Sequence, residues 1–128
     1  MAKPKKRKVL VIDDDRPLAQ LFASQLNQAG YLALIGEDAM QGFMFAQREL
    51  PDLILLDVMM PAGGGMLVFD RLAKSAKTAA IPVLVITAST DPNIDTDSAA
   101  RGARAVLHKP IDKETLLKAV AGVLDSAP

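Results

Sequence analysis

Four short apolar runs, each closed by a polar group, constrain this chain more than any other feature. They are KVLVIDDD (8–15), DLILLD (52–57), PVLVIT (82–87) and AVLHKP (105–110). Each is rich in Leu and β-branched residues and reads as a buried strand. Their closing groups are Asp13 and Asp14, then Asp57, then Thr87, then Lys109. If the runs are parallel strands of one sheet, these groups meet at its carboxyl edge, where open α/β sheets bind ligands. Three carboxylates, a hydroxyl and an ammonium in one crevice suit a divalent cation and a phosphoryl group.

Helical spacing fills the intervals between the runs. Leu18, Leu21, Phe22, Gln25, Leu26 and Ala29 predict a first helix, with Gly30 as its stop. YLALI (31–35) reads as another strand, and Met40, Phe43, Met44, Gln47 and Leu50 as a helix closed by Pro51. A loop with Pro61, Gly63, Gly64 and Gly65 precedes a helix over 66–75 around Leu67, Val68, Arg71 and Leu72. The polar stretch ASTDPNIDTDS has Ile94 as its only large apolar residue, so a short, mobile helix is expected near 93–101. Strand 104–108 and a helix carrying Leu116, Leu117, Val120, Val123 and Leu124 complete five β/α units. Strict alternation of this kind predicts a doubly wound parallel sheet. One domain over 8–124 is expected, with a basic tail at 1–7 and a short tail at 125–128.

Composition narrows the class. At 128 residues, half of them apolar, the chain suits one domain with a real core. No apolar run approaches the ~20 residues that span a bilayer. MAKPKKRKV leads into a short strand rather than a signal-peptide core. Without cysteine there is neither a disulfide framework nor a thiolate site. A cytoplasmic protein without membrane insertion is expected. Five of the fifteen basic residues lie at 3–8, leaving ten against fifteen acidic ones. By motif that run resembles a nuclear-import or nucleic-acid patch. A solvated tail is the preferred reading, because no aromatic residue is interleaved and the acidic body argues against direct DNA binding.

The acidic residues divide by role. Neighbouring carboxylates at the end of a buried strand repel, and a cation is the natural compensation. All-oxygen ligation favours Mg²⁺, with Mn²⁺ as a substitute. Asp15, just before Arg16-Pro17, suits a helix cap better, which leaves Asp13 and Asp14 for metal. Asp57 is placed to attack phosphorus and form an acyl phosphate. Thr87 can donate to a phosphoryl oxygen beside small Ala88, and Lys109 can make a charge-assisted contact. Pro110 favours a cis Lys109–Pro110 bond. His108, the only histidine, falls on the other side of its strand from Lys109 and is expected to be neither ligand nor base.

VLVIDDD, DLILLDVMMP, VLVITAS and HKP, in this order and spacing, resemble the receiver domain of two-component response regulators over about residues 8–124. The resemblance implies a flavodoxin-like (βα)5 sheet with strand order 2-1-3-4-5. It implies Asp57 as phosphoacceptor from a sensor histidine kinase or a histidine phosphotransfer protein. Asp13, Asp14, Asp57 and the Met59 backbone carbonyl would hold Mg²⁺, Thr87 and Ala88 would follow the phosphoryl group, and Lys109 would pair with it. A downstream protein would dock on the face of helix 4, strand 5 and helix 5.

Two positions depart from the family pattern. Val106 replaces the usual aromatic residue, which removes an aromatic rotamer switch. Gly63-Gly64-Gly65 replaces the usual Met-Asp-Gly and is expected to loosen the loop beside Asp57. Three other classes fit less well. An aspartyl-phosphate phosphatase would carry an acid two residues after the nucleophile, where Met59 stands. A flavodoxin-type carrier would need a phosphate cradle where three aspartates lie. A receiver that binds partners without phosphorylation would not need all five chemical positions filled.

Overall fold

The computed structural model describes residues 5–61 and 64–126. Five parallel strands alternate with five helices. The strands are β1 (Lys8–Ile12), β2 (Leu32–Gly36), β3 (Leu53–Asp57), β4 (Val83–Thr87) and β5 (Ala105–His108). The helices are α1 (Arg16–Gln28), α2 (Ala39–Glu49), α3 (Gly64–Lys74), α4 (Pro92–Ala100) and α5 (Lys113–Ser126). The sheet order is β2-β1-β3-β4-β5, the flavodoxin-like order expected. β1 pairs with β3 as Ile12 with Leu56, and β3 pairs with β4 as Asp57 with Ile86, so the polar strand ends lie side by side.

Alternation along the strands builds a core on each face of the sheet. Val9, Val11, Leu53, Leu55, Leu84 and Ile86 pack with Phe22, Leu26, Leu116 and Val120 of α1 and α5. Leu10, Ile12, Ile54, Leu56, Val83 and Val85 pack with Ala46 of α2 and Val68, Phe69 and Leu72 of α3. None of the described helices is long and apolar enough to cross a membrane.

α2 presents a different face to the core from the one its methionines suggest, whereas α1 and α3 bury the expected Phe22, Leu26, Val68 and Leu72 and leave single apolar residues outside. Leu21 on α1, Met40 and Met44 on α2, Leu50 just after it and Leu67 on α3 are all at least half exposed. On α2 the buried residues are small, Gly42 and Ala46. Ile12 lies so close to Gly42 that an added Cβ would sit 2.7 Å from Ile12 Cγ2. Helix and sheet therefore approach through small residues, and the methionines face outward.

The glycine-rich junction after β3 also differs from expectation. Gly63 lies outside the described residues, whereas Gly64 and Gly65 form the first turn of α3. Gly65 is tightly held: a Cβ there would stand 2.3 Å from Val58 Cα and 2.5 Å from the Asp57 carbonyl oxygen. Absence of a side chain lets α3 start against the backbone of the Asp57 loop, rather than loosening that loop.

Candidate functional site

Each residue of the site is placed by the end of a strand. Asp13 follows β1 and is fully buried. Its Oδ1 accepts the Asp15 N–H at 2.9 Å, and its Oδ2 lies 2.9 Å from Lys109 Nζ. Asp57 ends β3 and is 5% exposed. Its Oδ1 accepts the Met59 N–H at 2.8 Å, and its Oδ2 lies 3.1 Å from the same Nζ. Lys109 thus bridges two carboxylates that are far apart in sequence. Its N–H donates to the Thr87 carbonyl at 2.7 Å, and the Lys109–Pro110 peptide is cis. Thr87, also fully buried, accepts the Ser89 N–H on Oγ1 at 3.0 Å, which leaves its hydroxyl proton free to donate elsewhere.

Asp14 completes the cluster. One carboxylate oxygen from each of Asp13, Asp14 and Asp57 lies within 4.8 Å of the others, with Asp14 alone exposed. Three carboxylates gather beside one ammonium, which touches only two of them, so the cluster keeps a negative excess that a divalent cation would offset. The donors are all oxygen, as Mg²⁺ or Mn²⁺ requires. Burial pushes the Asp13 carboxyl above its ordinary range, against the hydrogen bonds from Asp15 and Lys109 that favour its charge. Burial works against the Lys109 ammonium too, but the contacts with Asp13 and Asp57 prevail and hold its pKa above the usual value.

The remaining predicted residues fall around this centre. Asp15 caps α1, accepting the Leu18 N–H at 3.1 Å. Ala88 and Met59 are exposed at the rim, and Val106 packs with Ile94 against the core on the α2–α3 side. His108 points away from Lys109, and its Nε2 lies 3.0 Å from Asp95 Oδ2 on α4. That pairing was not legible from sequence, since Asp95 is one of many polar residues in its segment. Beside Asp14 opens a groove of about 330 Å³ lined by Asp38, Ala39, Met40, Met60 and Pro61. A partial signal for it exists in Asp38-Ala39-Met40-Gln41, a capping pattern in which Asp38 accepts the Gln41 N–H and Gln41 accepts the Glu37 N–H.

The family model described as the response regulator receiver domain matches residues 9–121, nearly the entire chain. The chain belongs to this family. Among curated receivers, Protein PilH of Pseudomonas aeruginosa is 34% identical over 117 residues, covering 91% of this chain and 97% of that protein. RpaA of Synechocystis, a DNA-binding dual master transcriptional regulator, is 37% identical, but the match covers only 48% of its length. The chain thus spans nearly all of one relative and about half of the other. Among solved structures, the chemotaxis protein CheY4 of Vibrio cholerae superposes with a TM-score of 0.88 at 32% identity, covering 94% of this chain and 100% of that one.

Proposed function

We propose that this receiver accepts a phosphoryl group on Asp57, in the presence of Mg²⁺, from a phosphohistidine of a sensor histidine kinase or phosphotransfer protein. The supporting observation is the placement of Asp57: nearly buried, with one carboxylate oxygen on the Met59 N–H and the other on Lys109. A carboxylate fixed in this way attacks with its orientation already set. As its oxygen bonds to phosphorus, the N–P bond to the donor imidazole breaks. The imidazole leaves with the electron pair and takes a proton from solvent.

Asp13, Asp14, Asp57 and the Met59 carbonyl would hold Mg²⁺, which offsets charge repulsion between the carboxylates and the incoming phosphoryl group. Lys109 is positioned to move from Asp57 Oδ2 to a phosphoryl oxygen, and the Thr87 hydroxyl to donate to another, with the Ala88 N–H beside it. Either movement disturbs the ends of β4 and β5, which are tied by the Lys109 N–H to the Thr87 carbonyl. The face of α4, β5 and α5 would carry the change to a downstream protein, with residues 8–124 acting as one domain in the cytoplasm.

Intact-protein mass after incubation with acetyl phosphate tests this reading. A single adduct that requires Mg²⁺ and disappears in Asp57→Asn is expected. An adduct that persists in Asp57→Asn removes Asp57 as acceptor, and catalytic turnover of a small phosphoester without an adduct favours a phosphatase.

A further inference from the structure

The two signs of charge are unequally shared along the strand axis, although Arg16, Lys109 and Lys113 lie at the acidic edge. Asp13, Asp14, Asp38, Asp57, Asp91 and Glu114 lie at the carboxyl edge of the sheet, where β1 and β3 end and helices begin. The opposite, amino edge carries Lys5, Lys6, Arg71, Lys74, Lys77 and Arg104, all exposed. None of these six makes an ion pair among the described residues. Most acids at that edge are engaged: Asp125 with Arg7 at 3.4 Å, Glu49 with Lys8 at 3.5 Å, Asp70 with Arg101 at 2.9 Å, and Asp52 with the Lys8 N–H at 2.8 Å, whereas exposed Asp97 has no ion pair among the described residues. A surplus of positive charge remains there.

Favourable interaction with helix dipoles explains only part of this surplus. Arg71 and Lys74 sit in the last turn of α3, where cations are stabilised. Lys5, Lys6, Lys77 and Arg104 are in no helix. Lys5 and Lys6, with Arg7, instead border an open groove of about 390 Å³ floored by Ala29, Gly30 and Tyr31.

We propose that the amino edge is a docking surface for an anionic phospholipid bilayer, which holds the domain peripherally with its carboxyl edge facing away. Four of the six unengaged groups are lysines, compact charges suited to diffuse attraction by headgroups. Of the arginines, which could fork around phosphodiesters, Arg7, Arg48 and Arg101 are each tied to a carboxylate, leaving only Arg71 and Arg104 unengaged at this edge. Single-stranded nucleic acid would want stacking platforms. The groove offers only Tyr31, which is partly packed against the core. Five strand residues separate the two edges by roughly 17 Å, about twice the physiological Debye length, so the acidic edge is screened from a surface bound at the other. The proposal is independent of phosphoryl chemistry at Asp57.

Co-sedimentation of the full chain with vesicles tests it, using mixed phosphatidylglycerol–phosphatidylcholine against phosphatidylcholine alone, at low and physiological ionic strength. The chain is expected to sediment with the anionic vesicles only, less so as salt rises. The variant Lys5→Gln, Lys6→Gln, Lys77→Gln should bind at least about tenfold more weakly with an unchanged circular dichroism spectrum. Arg16→Gln, Lys113→Gln, Lys118→Gln, which removes as many charges elsewhere, should bind as the wild type does. Sedimentation no greater than with neutral vesicles overturns the proposal. So does equal weakening in the two variants, or tighter capture by single-stranded DNA than by anionic vesicles at matched salt.

Discussion

Removing the Lys109 ammonium would leave Asp13, fully buried, facing Asp57 with no protein cation between them. Breaking one side of a buried charge cluster is costly because the remaining charge keeps its desolvation penalty. Lys109→Ala is therefore expected to lose roughly 3 kcal/mol in urea unfolding without metal. Mg²⁺ should restore more stability in the variant than it adds to the wild type; equal gains would contradict the charge balance described. The residues of this cluster were legible in sequence because each follows a buried run, where a polar side chain has few places to go. Asp15 was legible as a cap because Pro17 suits the first turn of a helix. The His108–Asp95 pair was not, since nothing in sequence relates one polar residue of α4 to the end of β5.

Elements carry their own constraints, and here apolar periodicity was a poorer guide. Met40 and Met44 lie at helical spacing yet face solvent, because α2 packs on Ile12 through Gly42 and Ala46. Periodicity of large side chains does not reveal a contact made by small ones. Gly65 teaches the same lesson beside the acceptor. Gly65→Ala would press its Cβ onto Val58 and the Asp57 carbonyl, so it should cost about 1–3 kcal/mol and lower the yield of phosphorylated protein. Gly122 on α5 has nothing within 4 Å of such a Cβ, and Gly122→Ala should instead stabilise by about 0.5–1 kcal/mol. Urea midpoints of the two variants check the contrast, and shifts of the same sign would refute it. α4 buries only Ser98 and leans on polar pairs, Asp95 with His108 and Arg101 with Asp70. The hydrogen bond to Asp95 raises the His108 pKa above its ordinary value. A raised histidine stabilises the folded form below its unfolded pKa, and that contribution is lost as pH rises through the folded one. Amide exchange in α4 should accordingly quicken as pH climbs through the His108 titration, after correction for intrinsic rates. Being the only histidine, His108 gives an unambiguous NMR titration. Asp95→Asn should return its pKa toward the ordinary value, and an unmoved titration would remove Asp95 as the cause.

At the scale of the molecule, strand order followed from the receiver resemblance, while the parallel sheet with a core on each face was legible from the alternating β and α patterns themselves. Charge sorting was less so. In sequence the N-terminal basic run reads as a solvated tail, and the neutral total hides a chain with opposite surpluses at its two edges. Part of that polarity is structural, since Asp15, Asp38 and Asp91 cap helices that all begin at the carboxyl edge, and Asp112 there accepts the Thr115 N–H at 2.7 Å. The same edge holds the carboxylates proposed to receive the phosphoryl group, so the most direct measurement is one that identifies the bonded residue. Borohydride reduces an acyl phosphate to an alcohol, converting aspartate to homoserine with loss of one oxygen and gain of two hydrogens. After treatment with acetyl phosphate and Mg²⁺, peptide mass mapping should find homoserine at position 57 and nowhere else. Homoserine at position 13 or 14, with Asp57 intact, would contradict the account.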